Sequence, residues 1–324
     1  MKNIAIVCGG NSGEYEISIG SGKMVFDHLD KRRFSGYIIV IRNKDWYFED
    51  ESGDRFDIDK SSFTLELKGD KVLFDGVFNA IHGTPGEDGK LQAYFELMGL
   101  PYTSCNVATS ALTFNKYHCN RFVNSYGITT ANSFSYAYGE KINAEDVIKK
   151  LGLPLFVKPA ESGSSVGITK VNMEDEFDEA IAYAFSESDR ILIEEYIKGR
   201  EITCGLFNRG NELIVLPLTE IVSKKDFFDY EAKYTHGAAD EITPADLAED
   251  VEQDIKTISS FLFRKMDCKG FVRFDYIVTE DELYFLEVNS VPGITEASIL
   301  PKMIKEFGMD IKTFFSIILD NLFE

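Results

Sequence analysis

Gly270-Phe271-Val272-Arg273-Phe274-Asp275, then the acidic turn Thr279-Glu280-Asp281-Glu282, then Phe285-Leu286-Glu287-Val288-Asn289: the reading of this chain turns on these residues. Both runs are apolar with isolated polar residues, the pattern of two strands joined in a hairpin. Side chains two apart in a strand share a face, so Glu287 projects with Asn289 and Arg273 with Asp275. Paired in one sheet, Asp275, Glu287 and Asn289 can point the same way. Three hard oxygen ligands, with room left for water and phosphate, are how proteins hold Mg²⁺ beside a nucleotide. A fixed arginine on that face can clamp a phosphate or an oxyanion. The plainer reading, a half-buried hairpin with its polar residues on the wet side, stands equally open on this segment alone.

Working outward, the chain opens with Ile4-Ala5-Ile6-Val7-Cys8, a buried strand, and the loop Gly9-Gly10-Asn11-Ser12-Gly13 before a helical pattern from Ile17 to Leu29. Strand, glycine loop and helix are the start of an open α/β sheet, whose ligands sit at the carboxyl ends of its strands. Tyr37 to Ile41 and Val77 to Ile81 read as further strands, the second ending in the loop His82 to Gly89, with a helix from Leu91 to Met98. Residues 45–71 between them are polar, with short β-like runs. Phe114-Asn115-Lys116 opens an amphipathic helix, Leu155 to Pro159 is a strand, Ile168 to Val171 returns, and Glu174 to Phe185 is helical. Ile191 to Ile197 is a strand running into Lys198-Gly199-Arg200-Glu201. The last third holds an irregular polar segment (Ser223 to Thr243), a helix from Asp246 to Lys265, the hairpin and a closing helix after Pro301. No repeat, low-complexity tract or long linker interrupts this order, so the parts are expected to pack together.

Several motifs carry chemistry, each beside an ordinary structural reading. Lys158 leaves a buried strand just before Gly163-Ser164-Ser165, so it can neutralise a phosphate while the loop's N–H groups wrap it. The alternative is a flexible hairpin tip. This is not a Walker A loop, because the lysine precedes the glycines. Glu194-Glu195-Tyr196-Ile197 and Glu201 offer acceptors and apolar surface suited to a purine and its ribose, or are simply an acidic strand end. Glu14 is read locally as a helix cap and more sharply as the anchor of a substrate ammonium. His82 is a capping histidine or a substrate contact. Tyr230-Glu231-Ala232-Lys233-Tyr234 is a lid or a solvated excursion.

The whole composition bounds these readings. At 324 residues the chain is long enough for two or three domains, and 44% hydrophobic with 27% charged residues is ordinary for a globular protein. A formal charge of −20 argues against a nucleic-acid partner, which demands a basic stripe, though not against a nucleotide held in a local basic pocket. The five cysteines lack CxxC or Cys/His spacing and read as reduced, buried thiols rather than disulfides or a zinc site. No apolar run is long enough for a signal peptide or a membrane span, so a cytoplasmic protein is expected.

Together these residues resemble the D-alanine–D-alanine ligase family of ATP-grasp enzymes, over the whole chain. The resemblance rests on Gly9-Gly10 with Glu14 to Ser18, His82-Gly83 with Gly86 to Gly89, Leu91-Gln92, and Gly99 to Thr103. It continues through Val157-Lys158-Pro159, Gly163 to Gly167, Tyr230 to Tyr234, Arg273-Phe274-Asp275, Glu287-Val288-Asn289 and Pro292-Gly293. It implies an α/β, ATP-grasp fold: an N-terminal open α/β domain (1–110), a small central α+β domain (111–198) and a C-terminal α+β domain (199–324).

The resemblance also implies site roles. Lys116 and Lys158 meet the ATP phosphates, with Ser165 and Lys233 also at the nucleotide. Glu194, Glu195, Tyr196 and Ile197 surround the adenine, and Glu201 meets the ribose. Asp275, Glu287 and Asn289 hold two Mg²⁺ (or Mn²⁺), with Glu287 bridging. Glu14 binds the ammonium of the first D-alanine and forms a hydrogen-bonded set with Ser164 and Tyr234, and His82 is a substrate contact. Arg273 and the Gly293 N–H form an oxyanion hole, and Ser298 and Ile299 meet the second D-alanine's carboxylate. The implied activity is ATP-dependent ligation of two D-alanines through an acyl phosphate, for peptidoglycan precursors, by a homodimer. The alternatives are a sister ligase adding D-serine or D-lactate, or a nucleotide-binding regulator without turnover. Glu161 and Ser162 depart from the common pattern and residues 45–71 match nothing transferable, so neither segment carries a role.

Overall fold

A computed structural model describes residues 1–163, 166–223 and 239–324. Three sheets follow one another along the chain. In the first, β1 (Lys2–Gly9) is flanked in parallel by β2 (Phe34–Arg42) and β7 (Gly76–Asn79), with α1 (Tyr15–Asp27) crossing between β1 and β2. The short β-like runs of residues 45–71 extend this sheet as antiparallel strands β3 (Asp45–Glu49), β4 (Arg55–Asp59), β5 (Thr64–Leu67) and β6 (Asp70–Leu73). The extension is glued by aromatic rings. Trp46 meets Tyr94 edge-on at 5.2 Å between centroids, and Phe63 meets Phe95, on α2 (Lys90–Met98), at 5.1 Å.

The second sheet has the order β10-β9-β11-β8, from β8 (Ser133–Ala137), β9 (Leu155–Pro159), β10 (Thr169–Val171) and β11 (Arg190–Glu195). α5 (Ala144–Leu151) and α6 (Phe177–Glu187) supply its buried companions Val147, Phe177, Ala180 and Ala184. β11 stops at Glu195, so Tyr196 and Ile197 lie just past the strand that their pattern predicts for them. The helix expected to open at Phe114 is two helices, α3 (Val107–Phe114) and α4 (Lys116–Asn124). Asn115 breaks them: its backbone is extended and its side chain accepts from His118 N at 3.0 Å, capping the second helix.

The third sheet runs β15-β14-β12-β16-β17, with β13 (Glu212–Val215) on the side of β12 (Arg200–Arg209). β14 (Thr219–Ser223) and β15 (Ala239–Ile242) are antiparallel partners, so both ends of the segment expected to be irregular are strands. α7 (Glu249–Lys265) precedes the hairpin β16 (Phe271–Val278) and β17 (Leu283–Asn289). The closing helix is a pair, α8 (Ile299–Glu306) and α9 (Ile311–Asp320). Pro301 sits within the first turn of α8, where its missing N–H costs nothing.

Two cores weld the parts. Phe314, Phe315 and Ile318 of α9 pack with Ile4, Ile6 and Phe78 of the first sheet and Phe207 and Phe271 of the third. Cys119 and Val123 of α4 join Cys204, Phe274 and Phe285 of the third sheet, so α4 is laid on the hairpin that follows much later in sequence. All five cysteines are buried and free. Among the described residues no helix is long and apolar enough to cross a membrane. Phe95 is 1% exposed within the aromatic cluster of the first sheet. Phe95→Ala is expected to cost about 3–5 kcal/mol of unfolding free energy in urea titration; a loss under about 1 kcal/mol would mean that the rings do not hold the extension to the sheet.

Candidate active site

The hairpin works through one irregularity. From its turn, Val278 pairs with Leu283, Ile277 with Tyr284 and Tyr276 with Phe285; then the register shifts, and Asp275 pairs with Glu287, Phe274 with Val288 and Arg273 with Asn289. Leu286 is the extra residue of a β-bulge. Without it, Asp275 would face Leu286 and Glu287 would turn to the opposite side, because a one-residue slip inverts every later side chain. With it, Arg273, Asp275, Glu287 and Asn289 share a face. The β12 register adds Thr203, directly opposite Asp275, and Glu201, opposite Ile277.

On that face the Asp275 carboxylate is 2% exposed and held on two sides. Arg273 donates to it through Nε and Nη2, each at 2.8 Å, and Asn289 Nδ2 donates at 2.9 Å. The guanidinium is buried, which pulls its pKa down, but the charge and hydrogen bonds of Asp275 outweigh this and keep it protonated. Because Asn289 donates through its amide nitrogen, its amide oxygen is the atom left for a cation. Among the described residues no three His, Cys, Asp or Glu side chains form a ready metal cage. Two carboxylates, an amide oxygen and the buried, unpartnered Thr203 Oγ1 instead make a sparse, hard-oxygen face, which suits Mg²⁺ that keeps waters and phosphate oxygens as ligands.

The lysines come from the other elements. Lys116, at the start of α4, donates to Ser162 O at 2.7 Å and lies 3.9 Å from Glu287, bridging the loop after β9 to the hairpin. Lys158, in β9, forms a 2.5 Å ion pair with Glu194 of β11, and Asn120 Nδ2 of α4 donates to the other oxygen of Glu194 at 3.0 Å. The Glu194 carboxylate therefore holds a lysine. Glu195 alternates to the opposite side of the strand, where it accepts from Asn132 N at 2.8 Å and Nδ2 at 2.9 Å. Its side chain and that of Glu194 cannot flank one ring, leaving the backbone edge for that purpose. Tyr196 stacks beneath Lys170, whose Nζ stands 4.1 Å from the ring centroid, and beside Phe156.

Glu14 begins α1, but its side chain makes no capping bond to the helix. It reaches instead to the loop after β9, where its Oε2 lies against Gly163 in the space a Cβ would occupy. The cap reading of Glu14 is thus corrected. His82 is fixed inside the protein. His82 is 3% exposed, with Nδ1 at 2.7 Å from Val291 O and Nε2 at 2.8 Å from Ser21 Oγ, so both ring nitrogens are committed within the protein. Ser298 Oγ accepts from Thr295 N at 3.1 Å and packs against Gly293, while Ile299 is buried in the core and can offer a ligand only its backbone N–H at the start of α8. Ser164, Ser165, Lys233 and Tyr234 lie outside the described residues.

Sequence reasoning gave no site role to Asn115, Asn120, Glu161 or Glu87. Asn120 stands four residues after Lys116 on the same helix face, a spacing that could have drawn attention to it. Glu161 accepts from Asn115 Nδ2 at 2.7 Å, which locks the loop carrying Ser162 to the start of α4. Glu87 is 9% exposed and accepts from Gly83 N and Val291 N, both at 3.0 Å. Burial first, then the charges of Glu14 and Glu287, push its pKa up from 4.5 to about 7. Between these values the folded state keeps a proton that the unfolded chain has released, so this group's contribution falls as pH rises through that window. Urea midpoints measured from about pH 4.5 to 7.5 should decline for the wild type relative to Glu87→Gln; parallel curves would show that Glu87 does not titrate there.

The chain's likeness to known proteins agrees with this geometry. Residues 3–105 match the model of the D-Ala D-Ala ligase N-terminus and residues 122–320 that of the D-Ala D-Ala ligase C-terminus. A D-alanine–D-alanine ligase from Flavobacterium johnsoniae is 46% identical over 98% of this chain and 98% of its own length. The structure of D-alanyl-alanine synthetase A from Vibrio cholerae superposes with a TM-score of 0.89 at 29% identity, covering 100% of this chain and 99% of the other. A D-Ala:D-Ser ligase from Enterococcus faecalis gives 0.85 at 32% identity, with 99% of each chain covered. A Bacillus anthracis D-alanine–D-alanine ligase complexed with ATP gives 0.80 at 26%, covering 100% and 97%. With two family models spanning its length and curated relatives matched end to end, this chain belongs to the D-alanine–D-alanine ligase family.

Proposed function

We propose that this protein joins two D-alanine molecules to D-alanyl-D-alanine at the expense of ATP, through an acyl phosphate, with the hairpin face as its reaction centre. The observation that carries the reading is the shared face of Arg273, Asp275, Glu287 and Asn289, with Lys116 reaching it from another element. Residues 1–110, 111–198 and 199–324 are its three working parts. Lys116 and Lys158 bind phosphate oxygens, each presented by a partner that keeps its ammonium in place. Asp275, Glu287 and Asn289 would hold Mg²⁺, which supplies neutralisation of phosphate charge. The backbone past β11 receives the adenine and Glu201 the ribose.

The first D-alanine lies with its ammonium at Glu14. Its carboxylate oxygen attacks the γ-phosphorus of ATP, the bond to ADP breaks, and D-alanyl phosphate forms. The neutral amine of the second D-alanine attacks the acyl carbon, and the developing oxyanion falls between Arg273 and the Gly293 N–H. The nitrogen gives up a proton, which the departing phosphate can take, and collapse expels phosphate to leave the dipeptide. An acyl phosphate is readily hydrolysed, so water must be kept out, a task that fits the Gly163 loop and the segment containing Lys233 and Tyr234. A D-serine acceptor is the second reading, favoured by the likeness to the D-Ala:D-Ser ligase, since a pocket discriminates weakly against one added hydroxyl.

Phosphate release with ATP, Mg²⁺ and a panel of D- and L-amino acids and D-lactate is expected to require D-alanine and to yield D-alanyl-D-alanine. Release without any D-amino acid would overturn the assignment, and a preference for mixed D-alanine and D-serine would select the second reading. Arg273→Ala is expected to lower kcat by roughly 10²–10³, the usual cost of one oxyanion donor. A variant with wild-type kcat would remove Arg273 from the reaction.

A further inference from the structure

Three buried side chains of the first sheet's carboxyl edge converge on one short backbone segment of the third part. Glu87 accepts from Val291 N at 3.0 Å, and Val291 O lies 2.7 Å from His82 Nδ1. The Ile294 N–H points at Ser21 Oγ, 3.5 Å away, and Ser21 Oγ is 2.8 Å from His82 Nε2. The segment Val291 to Ile294 is therefore gripped on both sides of Pro292-Gly293. Its own residues Val291 and Ile294 are 3% and 0% exposed, so water does not compete for these bonds.

The polarity of the network is forced. A carbonyl oxygen can only accept, so His82 donates through Nδ1–H to Val291 O. Its Nε2 is then an acceptor, and Ser21 must donate its hydroxyl proton there. That turns a lone pair of Ser21 toward the Ile294 N–H. Burial lowers the His82 pKa, which favours the neutral ring that this arrangement needs. Glu87 also accepts from Gly83 N at 3.0 Å, tying the loop that carries His82 to the same carboxylate. The Ser21 and His82 protons are thus placed in sequence, and Glu87 holds the two backbone N–H groups beside them, so rotating any of the three would orphan a buried polar atom.

We propose that Ser21, His82 and Glu87 are positioning residues that hold the Val291–Ile294 backbone so that the Gly293 N–H is aimed at the oxyanion of the dipeptide-forming step. The inference rests on the assignment of Gly293 to the oxyanion hole. All three act through the hydrogen bonds they make to that backbone and to each other's loops. They act across the junction between the first and third parts, so the packing of that junction sets the position of the Gly293 N–H. Loosening the grip leaves ATP binding and acyl-phosphate formation in place and slows capture of the acyl phosphate by the second amine, so that water takes a larger share.

The test is stoichiometry in Glu87→Gln, whose amide nitrogen confronts one of the two backbone N–H groups. The expected result is a kcat for dipeptide lowered roughly 10- to 100-fold, as for a misplaced catalytic group, with KM for ATP unchanged and more than one phosphate released per dipeptide. Ser21→Ala, which frees the Ile294 N–H and His82 Nε2 together, is read the same way and serves if Glu87→Gln does not fold. The proposal is overturned if the folded variants keep one phosphate per dipeptide and lose activity only in proportion to folded protein. A wild-type enzyme that makes no D-alanyl-D-alanine would instead overturn the functional assignment, and the proposal with it.

Discussion

One extra residue in one strand governs the reaction centre. The Leu286 bulge moves Glu287 and Asn289 onto the face of Arg273 and Asp275; in a regular hairpin they would lie on the other. Everything else at the site is arranged around that face. β12 brings Thr203 and Glu201 to it through its own register, and α4 is packed against β17 so that Lys116 reaches Glu287. The bulge lies in a strand whose neighbours Phe285 and Val288 are buried on the opposite side, so slipping back would expel apolar side chains from the core. The register is held by hydrophobic burial and used for polar chemistry.

The charges on this face are presented in pairs. Lys158 has Glu194, Arg273 has Asp275 and Lys116 has Glu287 within reach. Buried ions without partners are costly, and each of these three cations is held in place by a neighbouring carboxylate. The consequence is preorganisation: in the proposed mechanism phosphate oxygens would meet cations that need not be gathered from solvent. Asn120 and Asn115 extend the same logic by fixing Glu194 and Glu161, the residues that hold the lysine and the loop.

The parts are bound by shared cores as well as by hydrogen bonds. α9 inserts between the first and third sheets, and the grip of Ser21, His82 and Glu87 on Val291 to Ile294 crosses the same junction. His82 is fastened within the protein by both ring nitrogens, whereas Glu14, which locally resembles a cap, makes no side-chain cap and faces Gly163. Local sequence could not separate these cases, because both side chains find partners far off in the chain, Val291 for His82 and Gly163 for Glu14.

Alternation along Phe285 to Asn289 determined that Glu287 and Asn289 share a face, whatever the fold around them, because the period of a strand is a property of the backbone. The order of strands, glycine loops and helices likewise determined an α/β chain, and the motifs taken together carried the family. The tertiary structure alone decided that Asp275 joins that face, since a bulge is a feature of pairing between two strands and leaves no mark on either by itself. It also decided that residues 45–71 are sheet, through contacts of Trp46 and Phe63 with α2, and that Glu194 serves Lys158. Periodicity is written in neighbours along the chain; partnership depends on which distant neighbours the packed cores bring within a hydrogen bond's reach.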